Sequence, residues 1–178
     1  MKCAAFDVLG KVLAEQGNFA AAEALQSEHL ATLRKRAPDN HQIAAALAEL
    51  AVTLMAERRF ADAEPIAREC LEFRQKHYPD GWSAFSARFL LGESLLGQKK
   101  YADAEPLLLS GYIGMEQRKD KIPSGFGAGY HRQPRLKKGL ELLVQLYEET
   151  GRPDQAAEWK QKLAEFEKAE AQSKGDAR

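Results

Sequence analysis

Cysteine is scarce in this chain: Cys3 and Cys70 are the two thiols among 178 residues, in no metal-binding or redox spacing. A disulfide framework is therefore excluded, and a reducing cytoplasm is the expected compartment. An excess of either charge is also missing. Lys and Arg together number 26, as do Asp and Glu, whereas a dedicated nucleic-acid binder carries a strong basic surplus. No apolar run approaches the ~18–20 residues that span a bilayer, so no membrane partner is expected. Asp7 interrupts the opening stretch MKCAAFD, where a secretory leader needs an unbroken apolar core. Of the histidines His29, His41, His77 and His131, no two have the i, i+4 spacing of a helical metal site. No Ser-His-Asp or Cys-His arrangement emerges from the spacing either. The expectation is a non-enzymatic chain with no catalytic residue, cofactor or metal.

What the sequence does contain is a repeat. A motif starts at Phe6-x-x-Leu9-Gly10-x-x-Leu13 and returns as Leu47-x-x-Leu50-Ala51-x-x-Leu54, Arg88-x-x-Leu91-Gly92-x-x-Leu95 and Leu140-x-x-Leu143-Val144-x-x-Tyr147. In each copy an alanine follows the start by the same interval: 6 to 22, 47 to 63, 88 to 104 and 140 to 156. Apolar residues at i, i+3 and i+7 share one helical face, and a small residue at i+4 lets a second helix approach. After a short break, the alanine lets the return helix pack back. Each unit is an antiparallel hairpin that cannot bury its apolar stripe alone, so stacked neighbours must complete the core.

These residues resemble the tetratricopeptide repeat. The period of 41 (47 minus 6, 88 minus 47) is longer than the generic ~34. Pro38 and Pro79 close second helices about a turn longer than usual, which is typical of the kinesin-light-chain type of repeat. The strings FADAEP and YADAEP, at Phe60–Pro65 and Tyr101–Pro106, are similar to that subfamily. The second half, from Tyr78-Pro79-Asp80-Gly81-Trp82 to Ala156-Ala157-Glu158-Trp159, also resembles arrays that trail Ser/Thr kinase domains in bacteria. No kinase motif accompanies it here.

The resemblance implies an all-α, right-handed superhelix of four helix-turn-helix repeats, about eight helices in all. One array is expected over residues 1–169, with repeats at about 3–38, 39–79, 80–121 and 134–169, followed by a disordered polar tail over 170–178. The third and fourth units start 52 residues apart (140 minus 88). The extra residues fall in a Gly- and Pro-rich insertion at 120–133, DKIPSGFGAGYHRQ. Its Gly125-x-Gly127-x-Gly129 follows no strand and precedes Pro134, so the phosphate-loop fingerprint fails.

In tetratricopeptide arrays the first helix of each unit lines a concave groove. Transferred to this sequence, that implies a lining of Asp7, Lys11 and Ala14 in the first unit and Ala48, Val52 and Met55 in the second. Phe89, Glu93 and Leu96 follow in the third, with Arg88 reaching in beside Phe89, and Glu141, Gln145 and Glu148 in the fourth. The alternative for Val52, Met55, Phe89 and Leu96 is packing against the adjacent hairpin. The Lys and Asn grip of chaperone-binding arrays and the tandem asparagines of kinesin light chains are both missing. A second candidate surface flanks the insertion, where Arg118, Lys119, Lys121, Arg132, Arg135, Lys137 and Lys138 face two acids between residues 116 and 138. Three functions follow: a scaffold holding a protein or peptide in the groove, a self-associating module, or a binder of phosphate or acidic ligands through the basic segment. Nucleic acid is not expected.

Overall fold

The computed structural model describes the backbone of residues 2–122 and 132–175, and the side chains of residues 9–122 and 135–172. Among the described residues there are eight α-helices and no strand. The first helices of the units are α1 (Lys2–Glu15), α3 (Gln42–Ala56), α5 (Trp82–Gly97) and α7 (Arg132–Glu149); the return helices are α2 (Phe19–Arg36), α4 (Phe60–His77), α6 (Tyr101–Glu116) and α8 (Pro153–Gly175). Each helix packs on the next in chain order, so the hairpins stack as a solenoid. A short 3-10 turn at Lys119–Lys121 follows α6 and leads to the buried Ile122. The glycine motif of the insertion, with Phe126, Tyr130 and His131, lies outside the described residues.

Every hairpin turn has the same construction. At the turn stand Gly17, Arg58, Lys99 and Gly151, all in the left-handed region with φ of 76°, 61°, 61° and 68°. The next residue donates its N–H five positions back: Asn18 to Leu13, Arg59 to Leu54, Lys100 to Leu95 and Arg152 to Tyr147. That is the Schellman bond, which satisfies a carbonyl orphaned at the helix end. The carbonyl of the same residue then accepts from the register alanine (Ala22, Ala63, Ala104, Ala156) and starts the return helix. All four alanines are buried, as the close approach of two helices requires.

An ion-pair ladder connects successive units. Glu23, Glu64 and Glu105 each follow their register alanine, and each pairs with the residue capping the next return helix. The distances are 2.6 Å to Arg59, 2.8 Å to Lys100 and 2.7 Å to Arg152. Hydrogen bonds from Lys100, Arg68 and Gln98 hold the Glu64 carboxyl down at about 2. Arg152 and then Tyr147 lower that of Glu105 against the effect of burial. Exposed pairs contribute at most about 1 kcal/mol each, so the ladder sets register more than stability.

Most of the core is in the middle units. α5 is buried over every residue from Phe89 to Leu96. Gly111 and Gly114 of α6 lie against it so closely that a Cβ at Gly111 would stand 2.7 Å from the Phe89 nitrogen. The buried Arg74 of α4 donates to the Ala44 carbonyl of α3 and the Ser83 carbonyl of α5, fastening three helices. Cys70 donates to the same Ala44 carbonyl, and burial pushes its thiol up. At the end of the array α8 runs through Gly175, so residues 170–175, expected in the polar tail, are helical. The strong helix formers of EAQSK carry the helix on to the glycine.

Candidate binding groove

The first helices α1, α3, α5 and α7 form one side of the stack, and their sequence-derived lining separates into three groups. Ala48, Met55, Phe89, Glu93 and Leu96 are buried instead of facing an open groove, with Phe89 only 1% exposed. For Phe89 and Glu93 the cause is the approach of the later helices. Gly111 of α6 abuts the Phe89 backbone, and a Cβ on Gly139 of α7 would come within 3.6 Å of its ring. Lys138 of α7 pairs with the Glu93 carboxylate at 2.5 Å. Arg88 also departs from expectation, because its guanidinium lies over the Phe85 ring at 4.8 Å and not beside Phe89. Residues three apart share a helical face, while adjacent residues diverge by about 100°.

In the fourth unit the expected residues are exposed. Glu141 lies 4.0 Å from Lys137, Gln145 donates to Glu149, and Glu148 pairs with Lys160 of α8 at 2.6 Å. The Asp7 side chain lies outside the described residues.

The remaining group, Lys11, Ala14 and Val52, lines a cleft of about 250 Å³ between α1, α2 and α3. Its apolar wall is completed by Phe19 and Ala56. Lys11 and Arg135 contribute two cations, and Glu15 and Glu49 two acids. Gln26 and Thr53 add uncharged polar groups. Arg135 comes from α7, so the two surfaces that the sequence kept apart, groove and basic flank, meet here.

The other basic residues diverge. Arg118 donates to the Asp80 and Gly114 carbonyls and lies 4.3 Å over the Phe85 ring, closing the third hairpin. Lys119 pairs with Glu116 at 3.0 Å, and Lys137 with Glu167 of α8 at 2.7 Å, a contact that raises the Lys137 ammonium. Arg135 donates to Ser86 Oγ at 2.9 Å. Lys121 is exposed, and the Arg132 side chain lies outside the described residues.

Sequence reasoning missed Gln26, Glu49 and the role of Arg135. Gln26 had a signal: register places it with Ala67 and Leu108, so a carboxamide occupies a position that is apolar in the next two units. The path of α7 across the first helices had none.

Among the described residues no helix is long and apolar enough to cross a membrane, and no three His, Cys, Asp or Glu side chains cluster as metal ligands would. Nothing among the curated proteins matches the chain. A family model of the tetratricopeptide repeat matches residues 43–81. Among solved structures, BtubC (BKLC) from P. vanneervenii is similar, with a TM-score of 0.75 at 15% identity over 93% of this chain. This chain spans 63% of that protein's length, under two thirds. The kinesin-light-chain, nearly identical TPR-like repeats of Podosopora anserina give 0.72 at 15% identity, covering 93% of this chain and 74% of theirs. MamA of MSR-1 gives 0.56 at 19% identity, covering 91% and 75%. At such identities the likeness concerns the fold, and with the repeat match and the eight stacked helices of the described residues it gives the fold class: an all-α solenoid of helical hairpins like that of tetratricopeptide proteins.

Proposed function

We propose that this chain is a non-catalytic scaffold that holds a protein or peptide segment against the side formed by its first helices. Tetratricopeptide repeats generally mediate protein–protein interaction. The observation that carries the reading is the cleft between α1, α2 and α3, which stays open while the middle of the groove is packed shut. Val52, 37% exposed, presents an isopropyl group there with no structural need to be apolar. Isolation of the chain with its partner from the native host, with crosslinking and mass spectrometry, tests the proposal. Val52→Glu should reduce partner recovery at least tenfold, whereas Ile113→Glu, at an exposed apolar residue outside the cleft lining, should leave it unchanged. Equal recovery by both variants would remove the cleft from the account.

A second reading, self-association, is favoured by one face of α1. Leu9 and Val12 are 51% and 39% exposed, while their register equivalents Leu50, Thr53, Leu91 and Ser94 are buried. Sedimentation over a hundredfold concentration range decides it, and a single monomeric species throughout ends it. Binding of phosphate or acidic ligands ranks below both, since Arg118, Lys119, Arg135, Lys137 and Lys138 already hold protein acceptors. We also place the chain in a reducing cytoplasm, on the free, buried Cys70. Descent of the second half from arrays that trail bacterial Ser/Thr kinases rests on the stretch from Tyr78-Pro79-Asp80-Gly81-Trp82 to Ala156-Ala157-Glu158-Trp159, and a kinase encoded beside this chain would support it.

A further inference from the structure

Gln26 is a polar residue in an apolar post. Its register equivalents, Ala67 of α4 and Leu108 of α6, are fully buried hydrophobes. Leu108 packs on Gly92, and Gln26 packs in the same way on Gly10, where a Cβ would meet its Cγ at 3.1 Å. A leucine at position 26 would therefore repeat a contact already present in the third unit. The carboxamide is instead 6% exposed, and among the described residues no donor reaches its Oε1. Leaving such a group unpaired costs its full desolvation, so a native exception calls for an explanation.

The explanation is in the wall that Gln26 helps to form. The cleft beside it, about 250 Å³, falls below the ~300–1,000 Å³ that enclose a small-molecule ligand. Alanines at 14 and 56 leave room between Phe19 and Val52 for one aliphatic side chain. Two cations and two acids cancel around it, so it does not select phosphate, nucleic acid or a strongly charged segment. A carboxamide has the donor and acceptor of a peptide group and pairs with main chain as one strand pairs with another.

We propose that this cleft takes a neutral, extended peptide segment, seating an aliphatic side chain between Val52 and Phe19 while the Gln26 carboxamide pairs with a main-chain amide of the ligand. This inference rests on the reading of the first-helix face as the binding surface and adds the ligand's charge, shape and hydrogen-bond anchor.

The test is a nuclear magnetic resonance titration of the full, isotope-labelled chain with N-acetyl-leucine N-methylamide. N-acetyl-glycine N-methylamide, which has the same peptide groups and no side chain, is the comparison. The leucine probe should bind saturably with a Kd on the order of 1 mM, the range expected of so small a ligand. It should shift the Val52 methyls and the Gln26 side-chain amide, and bind at least fivefold more tightly than the glycine probe. Gln26→Leu should weaken the leucine probe at least fivefold with the remaining amide spectrum preserved. If that variant does not fold, the Gln26 amide resonance of the wild type decides: a shift that saturates with the Val52 methyls supports the proposal, and an unmoved resonance overturns it. Equal affinity for both probes, or no saturable shift, overturns it as well. If the probes fail while Val52→Glu still releases the native partner, this inference alone falls; if both fail, so does the groove reading.

Discussion

Replacement of Lys99 by glycine should stabilise the array, although lysine is the better residue on most surfaces. Lys99 sits at the turn between α5 and α6 with φ of 61°, where Cβ crowds the following carbonyl and costs about 1–2 kcal/mol. Its equivalents in the first and fourth units, Gly17 and Gly151, avoid that cost, while Arg58 shares it. The Lys99 side chain is exposed, so its removal takes no packing with it. Glycine gives back about 0.5–1 kcal/mol through the freer unfolded chain. The net gain is about 0.5–1 kcal/mol, or a rise of roughly 1–4 °C in Tm for a chain of this size. Arg58 also carries no packing role, and Arg58→Gly should add a similar increment, since the two turns belong to different hairpins. Gly151→Ala provides the mirror experiment. A Cβ there meets nothing within 4 Å, so any loss comes from the backbone alone and should also be about 1 kcal/mol. Thermal unfolding by circular dichroism and urea midpoints measure all three. A Lys99→Gly chain no more stable than the wild type, beside an unharmed Gly151→Ala, would refute the reasoning.

Gly111→Ala should destabilise the chain, because the new Cβ would stand 2.7 Å from the Phe89 nitrogen and 2.9 Å from the Phe85 oxygen, backbone atoms that cannot turn aside. Overpacking of about 1–3 kcal/mol outweighs up to about 1 kcal/mol gained in helix propensity, and a lowered urea midpoint would show it. A further prediction concerns acid. Glu64 has its carboxyl lowered from 4.5 to about 2 in the folded chain, so the stability it contributes is complete above pH 4.5 and is lost as pH falls toward 2. Glu64→Gln should flatten the loss of urea midpoint over that window; parallel curves for the two chains would contradict the assignment.

The hairpins were legible because their determinants are local. The register alanines, the glycines at the first and last turns and the prolines closing the return helices act within a few residues of where they stand. Both α2 and α4 begin and end where the pattern places them. The groove was less legible. The position that makes a residue concave in a single hairpin is the same for Val52 and Glu93, each five residues after its motif start, yet Val52 is exposed and Glu93 is sealed. What separates them is α7, whose Lys138 pairs with the Glu93 carboxylate and covers it. The ladder lies between these cases, since a glutamate after the alanine and a base four residues before the next one were both in view. Their meeting across units needed the stacking distance.

The sequence by itself determined the eight helices, their pairing into four hairpins and the all-α solenoid, since helical period, turn conformation and small-residue contacts act at short range. Only the tertiary structure decided which part of the first-helix side stays open. That depends on where α7 comes to rest after the insertion, a long-range outcome with no periodic signature. By the same means it set Arg135 beside the cleft of the first two units and buried the Gln26 Oε1 where, among the described residues, no donor reaches it.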